Sequence, residues 1–230
     1  MIPEDLNVQS TNYSTSTTIG GSQFIWLKGC YTQRITNGAT ILNYPGAGGY
    51  VPTASLAQVT LKENGNDVQN VCNILDAFHV SEIAASDAVT IKVAKNKRSF
   101  VPTVGMILGK CPSTLSGTTV GAAVIAVVDN TTYYTLTMSA ALGALAVTDY
   151  LVEVVEAGSA KALKVTQPNV FCGSEMYFSL SGIAGVTLGS DPYKSEFYVH
   201  NTAYTLRMPE YPAIFVDSIN KSKIVGLIEI

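Results

Sequence analysis

The sequence predicts a mainly β chain: antiparallel β-barrel or sandwich modules with an extended N-terminal arm and one short helix. Three observations carry this. From residue 89 onward the apolar residues fall in short, β-branched, often alternating runs of strand length, separated by Gly, Pro, Asn and Asp. The 230 residues include 24 Val and 23 Thr, which suit a pleated surface better than a helix. Only one segment carries a convincing helical period.

Residues 1–65 form the arm. They open with the polar run Ser10 to Gly21, continue with a short apolar burst, Phe24-Ile25-Trp26-Leu27, and scatter Gly and Pro through Tyr44 to Pro52. With so few periodic apolar residues, this region cannot build a core alone. Phe24, Trp26, Tyr31, Tyr44 and Tyr50 are the candidate contact residues, because aromatic side chains bury large area at low entropy cost on a neighbouring surface. The other reading packs them on the chain's own domain.

Residues 66–157 are read as a helix plus a small β-barrel domain. Val68, Val71, Cys72 and Leu75 recur at offsets of three and four, with Asn66 or Asp67 placed as a cap, so a helix is expected over 66–77. Strands follow at Val89 to Ala94, Val101 to Leu108, Ala122 to Val128, Tyr133 to Met138 and Tyr150 to Glu156. Successive strands without intervening helices imply antiparallel pairing. The run Ala140 to Val147 is ambiguous between a turn of helix and a link. Residues 158–230 are a second β-rich region, with strands expected at Leu163 to Val165, Met176 to Leu180, Val186 to Leu188, Glu196 to Val199, Ala203 to Met208, Ile214 to Val216 and Ile224 to Ile230.

Composition narrows the partners. The chain is 47% hydrophobic and only 13% charged, with a net charge of −3, where about 25% charged is usual. Much of its surface is therefore uncharged and suited to meeting other protein. The densest basic run, Lys92 to Arg98, is too small for a phosphate-binding face, so no nucleic-acid partner is expected. Three charge-free stretches reach spanning length, 35–61, 111–128 and 130–148. Each is broken by Pro and Gly or opens on polar residues, so no membrane partner is expected. The N-terminal Met-Ile-Pro-Glu-Asp-Leu has no basic, apolar or cleavage region of a secretory signal, and synthesis in the cytoplasm is the expectation.

Catalytic and cofactor signals are sparse. Cys30, Cys72, Cys111 and Cys172 are widely spaced, with no CxxC pair, and read as free thiols rather than zinc ligands. His79 and His200 read as structural. No nucleophile elbow, HExxH or phosphate loop occurs, and Gly46-Ala47-Gly48-Gly49 reads as a turn. Glu153 and Glu156 lie three apart on an expected strand and face opposite sides, which denies them the convergence of a glycosidase pair and leaves them as solvent-facing charges. Asp191 with Glu196 is the other dense carboxylate pair. Asn64-Gly65-Asn66-Asp67 is a turn rather than a calcium loop. No catalytic residue, metal site or cofactor is assigned.

The stretch from Asp76 to Cys172 carries a resemblance. Asp76-Ala-Phe-His-Val, the strand Val89 to Ala94, the segment Phe100-Val-Pro-Thr-Val-Gly-Met-Ile-Leu and the segment Tyr134 to Glu153 together resemble a module of tailed-phage virion proteins. These are head fibre, capsid decoration or auxiliary capsid proteins, including those of phages of gut Bacteroidetes. The family's F-x-x-G-x-x-I/L turn is met with looser spacing by Phe100, Gly105 and Leu108. Its L-x-x-G-D turn is met by Leu145 to Asp149, with Thr148 in place of the glycine. The final segment, Leu206 to Val216, is similar to the same proteins. The likeness covers under half the chain.

That resemblance implies a non-enzymatic structural virion protein. It would bind the major capsid protein as a homo-oligomer, trimer or dimer, and decorate or stabilise the phage head or form a head fibre, with no cofactor. The alternative is a tail-fibre or adsorption module binding host surface glycan. A carbohydrate-active enzyme ranks below both.

Overall fold

The hairpin joining Leu56–Asn64 to Asp67–Ile74 shows the governing pattern: eight antiparallel register pairs run from Ala57↔Ile74 to Asn64↔Asp67. In the computed structural model of the protein, the described residues are 32–34, 39–41, 49–52, 55–64, 67–95, 100–172, 176–178, 186–188, 197–200, 202–204, 209–221 and 226–228. Their strands are β1 (Thr32–Arg34), β2 (Ala39–Ile41), β3 (Gly49–Val51), β4 (Leu56–Asn64), β5 (Asp67–Ile74) and β6 (Ala77–His79). β7 (Thr90–Ala94), β8 (Ile107–Lys110), β9 (Thr118–Asp129), β10 (Tyr133–Met138), β11 (Tyr150–Glu153) and β12 (Gly158–Ala162) follow. The last are β13 (Val170–Cys172), β14 (Met176–Phe178), β15 (Val186–Leu188), β16 (Phe197–His200) and β17 (Thr202–Tyr204), then helix α1 (Ala213–Lys221) and β18 (Gly226–Ile228).

The chain is mainly β, with two seven-stranded sheets. The first runs β1-β16-β13-β4-β5-β2-β15, antiparallel except for the parallel β2–β5 pair. The second runs β6-β11-β8-β9-β10-β7, with β12 added on β9, and every pair in it is antiparallel. Its two end strands meet beyond β6 at one bridge, Val80↔Val93, where Ser81 N–H also donates to Lys92 O at 2.9 Å. The sheet therefore curls round without the continuous ladder of a closed barrel. Two short pairs, β3–β14 and β17–β18, complete the strand-to-strand pairing among the described residues, with isolated bridges at Ala84↔Leu145 and Val154↔Leu163.

Alternation explains the second sheet. Along β10, Tyr134, Leu136 and Met138 are buried and Tyr133, Thr135 and Thr137 face outward. β7 buries Ile91 and Val93 in the same way. Between Thr137 and Met138 the register with β9 slips, so Ile125 is an extra residue there. Such a bulge bends a strand and tightens its twist, as a curled sheet needs. Inside lie Phe78, Phe100, Leu108, Val124, Leu136, Leu145 and Leu151, continuous with Leu56 and Ile74 from the first sheet.

Two sequence expectations are corrected. The helix expected over 66–77 is strand β5 and its link to β6. The segment is short for a helix to stand alone, and Val68, Cys72 and Ile74 also share one parity. β4 offers a cross-strand partner of nearly equal length. Gly65-Asn66, between the two runs, is a hairpin sequence. Conversely, the strand expected at Ile214 to Val216 lies in helix α1. Pro212 precedes that helix with a φ suited to helix entry, and Phe215 N–H donates to Pro212 O at 3.1 Å. Phe215 is fully buried, with Ile214 and Val216 packed beside it. The ambiguous run 140–147 contains no helix; Leu145 forms a bridge with Ala84.

Candidate functional site

The most unusual chemistry lies where the two sheets exchange the chain. Leu75 and Asp76 are the only residues between β5 of the first sheet and β6 of the second. Lys164 follows β12 and begins the return to β13. Between these crossings sits Glu153, the last residue of β11. Lys164 Nζ donates to Glu153 Oε2 at 2.6 Å, and Lys164 N–H donates to Glu153 O at 3.1 Å. The Glu153 and Lys164 side chains are only 7% and 10% exposed.

Asp76 is 1% exposed and no donor reaches either of its carboxyl oxygens; its one hydrogen-bonding neighbour is the Glu153 carboxylate, which can only accept, and only from a protonated Asp76. Burial, reinforced by the Glu153 charge and only partly offset by Lys164, pushes its pKa well above the ordinary carboxylate value. Burial also raises that of Glu153, while the Lys164 ammonium and its hydrogen bond pull it back. Asp76 is thus the carboxyl whose neutral form is favoured, and Glu153 the one that forms the ion pair. An open cleft of about 320 Å³ reaches this cluster, lined by Asn73, Ile107, Glu153, Val154 and Lys164 among others.

The expectation that Glu153 and Glu156 both face solvent is half corrected. Glu156 is exposed and pairs with Lys161 at 2.7 Å, whereas Glu153 is buried. Glu156 lies beyond the end of β11, so the two carboxylates do not share a strand. Sequence reading missed Asp76 and Lys164. The available signal was a charged residue inside an apolar run, Ile74-Leu75-Asp76-Ala77-Phe78 and Leu163-Lys164-Val165.

The two turns expected around Gly105 and Asp149 are turns in the structure. Met106 N–H donates to Thr103 O at 3.3 Å, and Gly105, at the third position of that turn, has φ +96°, the conformation a type II turn needs there. At Leu145 to Asp149, Ala146 N–H donates to Asp149 Oδ2 at 2.8 Å and Asp149 N–H donates to Ala146 O at 3.0 Å. Lys110 Nζ sits 2.7 Å from Asp149 Oδ2. The carboxylate thus closes the turn that has Thr148 where the pattern has glycine.

The outer surface carries aliphatic side chains. Val104, Ile125 and Val128 are 58%, 55% and 56% exposed. Val104 and Ile125 flank a backbone pair, since Gly105 N–H donates to Val124 O at 2.9 Å. Val128 lies opposite Thr135, which lies opposite Lys92 in turn. Next to that row Ala126, Thr137 and Thr90 align, so the outer face of β9, β10 and β7 has one charge in two rows.

Of the predicted contact residues, Phe24, Trp26, Tyr31 and Tyr44 lie outside the described residues. Tyr50 lies in β3, with its backbone in register with Tyr177 of β14. Asp191, Glu196 and Cys30 also lie outside the described residues. His79 stacks on Tyr150, with centroids 4.7 Å apart, and its Nδ1 lies 3.5 Å from Glu210 Oε2. Among the described residues no group of three His, Cys, Asp or Glu could hold a metal ion, and no helix is long and apolar enough to cross a membrane. No protein-family model, curated protein or solved structure matches the chain.

Proposed function

We propose that this chain is a structural virion protein of a tailed phage, binding the major capsid protein and decorating or stabilising the head or forming a head fibre. The observation that carries the reading is the outer face of β9 and its neighbours, where Val104, Ile125 and Val128 stand exposed beside threonines. A sheet face of this kind offers little to an ionic ligand and much to another protein's apolar surface. The turns at Gly105 and Asp149 support the same reading, because they fall at the positions that carry the resemblance. On this view the chain works as a homo-oligomer, without cofactor or catalysis, on the head surface.

The test is to locate the chain on purified particles by labelled antibody in electron micrographs, beside particles made with an Ile125→Lys, Val128→Lys chain. Label over the head that is lost in the double variant, with the variant folded by circular dichroism, is the expected result. Label confined to the tail would move the chain to host adsorption and glycan binding. No label on particles, with the chain present in infected cells, would overturn the virion reading.

A further inference from the structure

The cluster at the sheet crossings has more negative groups than positive ones. Asp76, Glu153 and Lys164 supply two carboxyls and one ammonium to a space from which water is largely excluded. Glu153 and Lys164 satisfy one another at 2.6 Å. A second carboxylate there would have no hydrogen-bond donor and no counter-ion of its own, an arrangement that proteins avoid by keeping the proton or by moving apart.

Moving apart is open to this part of the fold, because the cluster touches both places where the chain passes between sheets. The outgoing link, Leu75-Asp76, is held by Leu75 N–H donating to Leu56 O at 2.9 Å. The returning link, residues 163–169, is held by the Lys164–Glu153 backbone bond, by Thr166 and Gln167 N–H donating to Gln58 Oε1 at 3.0 and 3.1 Å, and by Asn169 N–H donating to Ala57 O at 2.9 Å. The cleft beside Glu153 and Lys164 gives water a route in. The groups facing Asp76 are Glu153 from β11 and Lys164 from the returning link. The remaining cleft lining, Asn73 of β5, Gly105, Ile107 of β8, Val154 and Val155, cannot titrate.

We propose that Asp76, Glu153 and Lys164 form a proton-controlled latch at the joint between the two sheets, shut while Asp76 is protonated and loosened once it ionises. Loosening opens the two links at the joint, without unfolding either sheet. The trigger is a rise in pH that favours the ionised carboxyl.

Native-state hydrogen exchange on the full chain, corrected for intrinsic exchange rates, tests the latch. Opening at the Leu75, Lys164 and Asn169 amides should grow about tenfold per pH unit from the ordinary carboxylate range upward, levelling off once Asp76 ionises in the closed state. The Met138 amide, bonded to Val89 O inside the curled sheet, should keep its protection. Asp76→Asn removes one proton from the linkage, so its slope should fall by about one power of ten per pH unit. A slope in Asp76→Asn equal to the parent's would overturn the latch. So would joint amides that open only together with Met138. Should Asp76→Asn not fold, infrared spectra of the parent in heavy water decide: a protonated carboxyl band at neutral pH that vanishes on alkalinisation supports the latch, and its absence refutes it.

Discussion

The Tyr211 hydroxyl accepts the Leu56 N–H at 2.8 Å, across 155 positions of sequence. Leu56 opens β4, and Tyr211 stands two residues before helix α1. The same Tyr211 ring lies against Phe100, with centroids 6.2 Å apart, and Phe100 meets Phe78 edge-on at 6.3 Å. One side chain thus ties the first sheet, the core of the curled sheet and the helix together. The hydrogen bond also satisfies a donor that the core would otherwise strand.

Tyr211→Phe keeps the ring and removes the hydroxyl that accepts from Leu56. Leaving one buried N–H unsatisfied should cost about 1–3 kcal/mol. Tyr211→Ala also removes the contact with Phe100 and should cost about 3–5 kcal/mol. Urea unfolding followed by near-ultraviolet circular dichroism measures both. Equal losses in the two variants would mean that the ring contributes nothing beyond its hydroxyl.

Glycines at two positions should fail for different reasons. A Cβ on Gly121 would stand 2.4 Å from Glu156 O and 2.7 Å from Val154 Cγ2, so Gly121→Ala must displace the link that leads into β12 and loosen its start, where Gly158 pairs with Gly121. Overpacking of this kind costs about 1–3 kcal/mol, and amide protection along Gly158–Ala162 should drop. A Cβ on Gly143 meets nothing within 4 Å, but its φ of +84° is strained for any side chain. Gly143→Ala should cost about 1–2 kcal/mol with β12 protection unchanged. Comparing exchange at β12 in the two variants separates crowding from backbone strain.

Much of the fold was legible because the curled sheet obeys a period of two. Tyr133 to Met138 and Thr90 to Ala94 bury alternate residues, and that alternation is visible in the sequence without a partner strand. Where tertiary pairing decides, the sequence was ambiguous. Val68, Val71, Cys72 and Leu75 fit a helical face, and only the eight-pair ladder with β4 makes them a strand. Ile214-Phe215-Val216 has strand composition, yet the proline entry and the single buried position at Phe215 make it a helix. The charge cluster was hidden for a related reason. Asp76 and Lys164 lie far apart in sequence and meet only because two chain crossings coincide.

Cys111 should be a slow nucleophile. Burial, assisted by the nearby Asp149 charge, pushes its thiol up to about 12, so little thiolate exists at neutral pH. Because the folded value is raised, this contribution to stability is full below the unfolded thiol value and is lost as pH rises toward about 12. Iodoacetamide labelling read peptide by peptide should modify Cys111 far more slowly in the folded chain than in urea. Equal rates in the two states would show that the thiol is neither buried nor raised.

Asp149 titrates in the opposite sense. Partial burial pushes its pKa up, but the Ala146 N–H and the Lys110 ammonium outweigh that and hold it below the ordinary value. A carboxylate lowered in this way stabilises the fold above its unfolded pKa of about 4. That contribution disappears as pH falls through the folded value. Asp149→Asn keeps an acceptor for Ala146 but loses the charge beside Lys110. On a surface turn that should cost less than about 1 kcal/mol at neutral pH. Asp149→Ala loses the acceptor as well and should cost about 0.5–1.5 kcal/mol more. In acid, where Asp149 is itself neutral, the parent and Asp149→Asn should converge in urea midpoint, while Asp149→Ala stays below both. An Asn deficit that persists unchanged in acid would assign the effect to packing rather than to charge.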